Sequence, residues 1–440
     1  MEKNIKASSA GRPSSSGQST LRTGAALAAA LSVARGAHAA GSDLVKIALV
    51  GCGGRGTGAA INALSTKANV KLVAMADAFK DRVDNSLRAI QSQCPGKVDV
   101  PPDRRYIDLD GYEKAIRSDV DMVLLCTPPG FRPRHIEAAV AAGKHIFAEK
   151  PLATDAPGVR RVMAANQEAK KKGLLVAVGH HLRHEVKHKE ALKRIHDGAI
   201  GQIMFMRIYF NSSGVWVMPR KPGQTEMQHQ VRNWYYFNWL CGDHIVEQHV
   251  HDIDVANWFM KDQHPVQANG MGGRQVRVGK DYGEIFDHHS VEFEYADGTK
   301  LFSCCRHIPG CWESFAEYAH GTRGHADIQG HGNAILSVDG QPAKEWKRGP
   351  DGHQLEMDDL FAALAAGTPY NECDYAIQST MTAILGRMAT YSGQVVKWDD
   401  AINSDLDLAP ERLAWDAIPK SLPGPDGIYP CAIPGVTKAW

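Results

Sequence analysis

Near the start of this 440-residue chain, an apolar run over residues 45–50 ends in Gly51-Cys52-Gly53-Gly54-Arg55-Gly56. The helix-compatible stretch Gly58-Ala59-Ala60-Ile61-Asn62-Ala63-Leu64 follows directly. Few folds accommodate that order. Gly51 suits a tight turn, Gly53 lets backbone approach a pyrophosphate, and Gly56 lets helix pack closely on strand. A helix starting there presents free N–H groups and a partial positive charge to phosphates. A second strand, residues 70–76, ends at Asp77, about twenty residues past the motif, where a carboxylate accepts hydrogen bonds from ribose hydroxyls. That charge repels a 2′-phosphate, which favours NAD over NADP; Lys80 and Arg82 soften the preference. A turn or N-cap role is the structural alternative for Asp77.

The pattern continues. Residues 120–126 read as a strand closed by Thr127-Pro128-Pro129, Arg134 opens a helix, and residues 144–148 form a strand ending in Glu149-Lys150-Pro151. Alternating strands and helices predict an α/β fold with a parallel, doubly wound Rossmann sheet. Ligands of such sheets sit beyond the carboxyl ends of the strands, where Gly51, Asp77, Thr127 and Lys150 all fall. Further on, residues 201–210, 290–295 and 300–304 read as strands, the last two joined by a turn at Asp297-Gly298.

The net charge of +1 argues against nucleic acid and anionic membrane as partners. Nine cysteines without a CxxC pair support neither a disulfide framework nor a zinc knuckle. Residues 1–40 differ from the rest. The short apolar run Thr23-Gly24-Ala25-Ala26-Leu27-Ala28-Ala29-Ala30-Leu31 is followed by Ala37-His38-Ala39, which has the pattern of a signal-peptidase site. The segment is expected to be an export signal to the periplasm or envelope, with a disordered extension on a cytoplasmic protein as the alternative. Only Arg22 stands where the twin-arginine route needs a pair.

With these motifs, the chain resembles the Gfo/Idh/MocA oxidoreductases, which include glucose–fructose oxidoreductase and inositol dehydrogenase. The most specific mark is Ala142-Gly143-Lys144-His145-Ile146-Phe147-Ala148-Glu149-Lys150-Pro151, supported by Gly179-His180-His181-Leu182-Arg183-His184 and by Ser379-Thr380-Met381-Thr382-Ala383-Ile384-Leu385-Gly386-Arg387-Met388. The resemblance implies a Rossmann domain over residues 44–172. A substrate-binding α+β domain with a large, open, mostly antiparallel sheet is implied over residues 173–440. It further implies homo-oligomers formed through that sheet, a cis Lys150–Pro151 peptide and hydride transfer between NAD and a sugar or polyol. The cofactor set expected is Gly51, Cys52, Gly53, Gly54, Arg55, Gly56, Asp77, Thr127, Pro128, Pro129, His135, Glu149 and Lys150.

Oxidising a carbinol needs a base, and a group that stabilises the developing alkoxide. Lys150 matches the family's catalytic lysine and His251 its histidine, the general base. Glu247 stands where the family usually has aspartate, and it either holds the substrate or orients His251. The apolar spacing around Gly242 to Asp254 predicts one helix, with Glu247 and His251 on one face. His180, His181, Arg183 and His244 are expected to line the substrate cleft, and Trp234 and Tyr236 to stack on a sugar ring or pack in the core. No metal is assigned; a His244/Glu247/His251 ligand set is the alternative. His288 and His289 carry no assignment. Rival readings are a redox-assisted glycosidase or lyase with a retained cofactor, and a non-catalytic NAD-binding sensor.

Overall fold

Strand β1 (Leu44–Val50) is followed by β2 (Asn69–Asp77), β3 (Arg105–Ile107), β4 (Met122–Leu125), β5 (His145–Ala148) and β6 (Val176–Val178) in one sheet of order β3-β2-β1-β4-β5-β6. This computed structural model describes residues 43–440, so the proposed export segment over residues 1–40 lies outside the described residues. Ile47, Ala48, Leu49 and Val50 are all buried, as expected of a parallel strand covered on both faces. The registered pairs β1–β4, β2–β3, β4–β5 and β5–β6 are parallel. Strand order reverses between β1 and β4, which opens a crevice at their carboxyl ends. Helix α1 (Gly54–Ser65) begins at that crevice and packs on the sheet through Gly56, Ala59, Ala60 and Ala63.

The second sheet has nine strands: β7 (Ile203–Ser212), β8 (Gln267–Gly273), β9 (His288–Glu294), β10 (Lys300–His307), β11 (Ser314–Gly321), β12 (Gly324–Gln329), β13 (Ala334–Val338), β14 (Lys344–Trp346) and β15 (Val396–Lys397). Their order is β14-β13-β12-β11-β7-β10-β9-β8-β15. Only the central β7–β10 pair is parallel among the registered pairs. The β9–β10 hairpin turns at Asp297-Gly298, and Gly298 takes φ +87°, where a Cβ would clash. Between these strands run α2 (His244–Glu247) and α3 (Val250–Phe259). The chain after β14 carries α4 (Gly352–Ala366) and α5 (Cys373–Ser392).

Helix α4 crosses back. Its Met357, Leu360 and Phe361 share a core with Ile47, Leu49 and Leu124 of the parallel sheet. The Rossmann core is thus completed by residues far beyond position 172. The seam is also tight at Gly130, where a Cβ would stand 1.9 Å from the Trp239 carbonyl oxygen. No described helix is long and apolar enough to cross a membrane. Gly130→Ala is expected to destabilise the protein by about 1–3 kcal/mol through overpacking. A Cβ on Gly54 meets nothing within 4 Å, so Gly54→Ala is expected to be neutral or stabilising by up to about 1 kcal/mol. Urea midpoints of the two variants check the contrast; equal midpoints refute the tight seam.

Candidate active site

The phosphate loop is shaped by what its glycines avoid. A Cβ on Gly51, at φ +97°, would lie 2.5 Å from the Cys126–Thr127 peptide, and one on Gly56 would lie 1.9 Å from the Gly51 carbonyl oxygen. Gly53 and Gly54 meet nothing within 4 Å and open onto a cleft of about 430 Å³. Arg55, Asp77, Thr127, Pro128 and His135 line the same cleft. Bare backbone at a helix N-terminus with a carboxylate at the next strand end fits a dinucleotide. Asp77 is already anchored: Oδ2 accepts the Cys52 N–H at 2.7 Å and Oδ1 the Phe79 N–H at 2.9 Å. Burial raises its pKa and those N–H groups oppose the rise.

Three of the expected cofactor residues lie behind the cleft. Cys52 is buried, and its N–H is spent on Asp77. Pro129 is buried in a 3₁₀ turn. Glu149 is buried and accepts from Arg55 Nε at 2.5 Å. Burial would raise its pKa, but Arg55, Lys150 and Arg132 outweigh burial and hold the carboxyl ionised. Glu149 therefore acts by anchoring Arg55 rather than by facing the cleft. His135 stacks on Tyr112 at 4.0 Å and shares a 3.1 Å contact with Thr127 Oγ1. Burial pushes its pKa down to about 3, so the ring is neutral.

Lys150 leaves the end of β5 through a cis Lys150–Pro151 peptide. Its Nζ donates to the Glu247 carbonyl oxygen at 2.7 Å and to Glu247 Oε1 at 3.3 Å. The two side chains are 10% and 12% exposed. His251 is buried, its Nδ1 has no hydrogen-bond partner, and its ring meets His181 edge-on at 4.8 Å. Burial first, then the Lys150 ammonium, drives its pKa well below the ordinary histidine value. The imidazole is thus held in its basic form.

The single helix expected over residues 242–254 is two. Helix α2 ends at Glu247 and α3 starts at Val250, so Glu247 and His251 do not share a helix face. His249 sits at the break, with Nδ1 3.1 Å from Asp252 and Nε2 2.8 Å from Ser303 Oγ.

Several expected substrate residues are committed elsewhere. Arg183 is bidentate to Asp254 at 2.7 and 3.0 Å, bonds Asp262 at 2.7 Å and lies over the Tyr375 ring. Tyr236 is buried and donates to the Val215 carbonyl oxygen; its place is the core. His244 is fully buried against Asp243 and His307. His180, also buried, lies 3.6 Å from Asp254 and 6.1 Å, ring to ring, from His251. Trp234 lines the same cleft as Asp77, together with Trp216, and Lys150 is not part of that lining.

Sequence reasoning passed over His353, whose ring stacks on His181 at 4.0 Å from helix α4. It also passed over Arg132, which donates to the carbonyl oxygens of Thr127 and Pro151 and so ties two strand ends together. Arg132 had a readable signal, an arginine directly after Thr-Pro-Pro-Gly-Phe at a helix start. A lone histidine at position 353 had none.

Comparison with known proteins agrees with this layout. Residues 45–180 match the oxidoreductase family with an NAD-binding Rossmann fold, and residues 188–327 match the GFO/IDH/MocA C-terminal domain. Inositol 2-dehydrogenase of Acidiphilium cryptum is 24% identical over 349 residues, 77% of this chain and 89% of that enzyme. Inositol 2-dehydrogenase of Rhizobium meliloti is 29% identical over 247 residues, 56% of this chain and 63% of that enzyme. Levoglucosan dehydrogenase, solved with NADH and levoglucosan, shares the fold at a TM-score of 0.64 and 17% identity, over 80% of this chain and 99% of that one. Aldose-aldose oxidoreductase from Caulobacter crescentus, solved with glycerol, does so at 0.63 and 19% identity, over the same shares of 80% and 99%. With both of its domains matched, the chain belongs to the Gfo/Idh/MocA family of NAD-binding oxidoreductases.

Proposed function

We propose that the protein is an NAD-dependent dehydrogenase of a sugar, glycoside or polyol, with His251 as general base and Lys150 as the group that polarises the reacting oxygen. The observation that carries this reading is the Lys150 ammonium fixed by Glu247, together with a buried His251 whose Nδ1 has no hydrogen-bond partner and whose pKa is lowered first by burial and then by the Lys150 charge. Relatives named for inositol, 1,5-anhydro-D-fructose and levoglucosan support the substrate class. Bound nicotinamide supplies the hydride acceptor. His251 takes the hydroxyl proton, Lys150 Nζ stabilises the developing alkoxide, and Glu247 keeps Nζ in place. Incubation with NAD and a panel of sugars and polyols tests the reaction: a keto product with matching NADH supports it. Sugar cleavage with no net NADH would instead establish the redox-assisted reading, and no turnover at all the sensor.

Asp77 favours NAD over NADP by its charge. Asp77→Ala is expected to weaken NAD binding roughly 10–100-fold, the worth of hydrogen bonds to a charged group, and to narrow the gap to NADP. Calorimetric titration checks it, and unchanged NAD affinity in the folded variant removes Asp77 from the site.

His251→Ala is expected to lower turnover by roughly two to four orders of magnitude while NAD affinity holds, because the phosphate loop lies on the other domain. Glu247→Gln is expected to lose less. Lys150 disfavours the His251 imidazolium, so removing its charge raises the imidazole pKa. In Lys150→Met the acid limb of residual kcat/KM therefore moves to higher pH. Near wild-type turnover in His251→Ala, or an unmoved acid limb, contradicts the assignment.

The outer face of the nine-stranded sheet supports a homo-oligomer: Phe205, Met271 and Phe302 are exposed on its strands, and exposed apolar side chains on one sheet face suit a subunit interface. Export through residues 1–40 rests on the sequence pattern alone. Phe302→Glu is expected to lower the solution mass measured by light scattering; a wild-type monomer refutes the interface.

A further inference from the structure

Behind Glu247 lies a polar cluster that the reaction does not use. The side chains of Asp243, His244 and His289 are 0% exposed. One possible donor atom from each lies within 4.8 Å of the other two, and among the described residues no other such trio occurs. Asp243 and His244 open α2, and His289 belongs to β9.

The positions of the protons follow from the partners. Thr390 Oγ1 donates its single proton to the Arg387 carbonyl oxygen at 3.0 Å. His289 Nδ1 lies 2.9 Å from the same Oγ1, and in the tautomer protonated at Nδ1 the lone pair falls on Nε2. That Nε2 stands 3.3 Å from Asp243 Oδ2 without forming a hydrogen bond. A lone pair there, facing a carboxylate oxygen in a dry interior, calls for positive charge between the two atoms. His244 Nδ1 lies 2.7 Å from Asp243 Oδ1, which only accepts, so the proton is again on Nδ1. His244 Nε2 is then a second buried lone pair without a partner. His307 stacks on His244 at 4.5 Å, but Arg277 donates to its Nδ1 at 2.7 Å. The His307 proton is thus on Nε2, and that ring is no ligand.

We propose that Asp243, His244 and His289 bind one divalent transition-metal ion of the zinc or ferrous class. Imidazole with a single carboxylate suits these ions and not calcium or magnesium. The 3.3 Å separation of His289 Nε2 and Asp243 Oδ2 is close to the edge, about 3.4 Å, of a tetrahedron with bonds of about 2.1 Å. Outer partners already orient the ligands, as metal sites require. Thr390 Oγ1 lies 2.9 Å from His289 Nδ1, and Asp243 Oδ2 receives the Tyr391 hydroxyl at 2.6 Å and the Phe286 N–H at 2.9 Å. The ion would pin the start of α2 to the sheet, one short helix away from the Glu247 that holds Lys150. Its role is positioning, and its assignment does not depend on which substrate the enzyme takes.

The test is elemental analysis of the full-length protein, purified through a histidine-free tag from cells supplied with zinc and iron and then dialysed. About one equivalent of metal per chain is expected in the wild type, falling below a tenth in His289→Ala and His244→Ala. Chelator-stripped wild type should regain melting temperature on addition of zinc chloride, and Thr390→Val should bind zinc about 10–100-fold more weakly. Metal-free wild type whose melting temperature ignores zinc overturns the proposal, and leaves His289 as a plain structural partner of Asp243. Undiminished metal in folded His289→Ala overturns the ligand set.

Discussion

The ammonium of Lys150 reaches from the parallel sheet to Glu247 in the second domain, and the active site is arranged about that contact. A pair so little exposed adds little net stability, because desolvation cancels most of the attraction. Breaking it by removing one partner costs about 3–5 kcal/mol, since the survivor is left uncompensated. An apolar pair of similar volume would hold the seam as well. In the proposed reaction the ion pair adds a fixed positive charge beside the reacting oxygen, and its field adds to burial in lowering the pKa of His251.

Glu149 and Lys150 divide the work of the strand end between them. Successive residues of an extended chain point to opposite sides. Glu149 turns to Arg55 of the phosphate loop, and Lys150 turns to Glu247. One dipeptide thereby links the place where the dinucleotide fits to the second domain. Arg132 reinforces the arrangement by binding the carbonyl oxygens of both neighbouring strand ends.

The Rossmann half was legible because its determinants are local. A strand buried on both faces must be apolar along its whole length, and the turn at Gly51 admits no Cβ. The substrate half was less legible. Ile245, Val246, Val250 and Ile253 are all buried and fit one helix, so nothing in the spacing reveals the break at Gln248-His249. At the break His249 contacts Ser303, 54 residues away. Arg183 has the look of a cleft residue, yet its carboxylate partners lie 71 and 79 residues further on. His353 reaches His181 only because α4 folds back across the parallel sheet. Local pattern identified which residue types were present, and long-range contacts decided which of them face the reaction.

The proposed reaction moves hydride from a carbinol carbon to nicotinamide, with Lys150 and His251 serving the reacting oxygen. The most direct measurement is the fate of deuterium placed on that carbon of a turned-over sugar or polyol. Mass spectrometry of the reduced nicotinamide should find the label transferred intact in a single turnover, with the transfer slowed far more in His251→Ala than the binding of either ligand. Label lost to solvent, or reduced nicotinamide carrying hydrogen from water, would contradict the account.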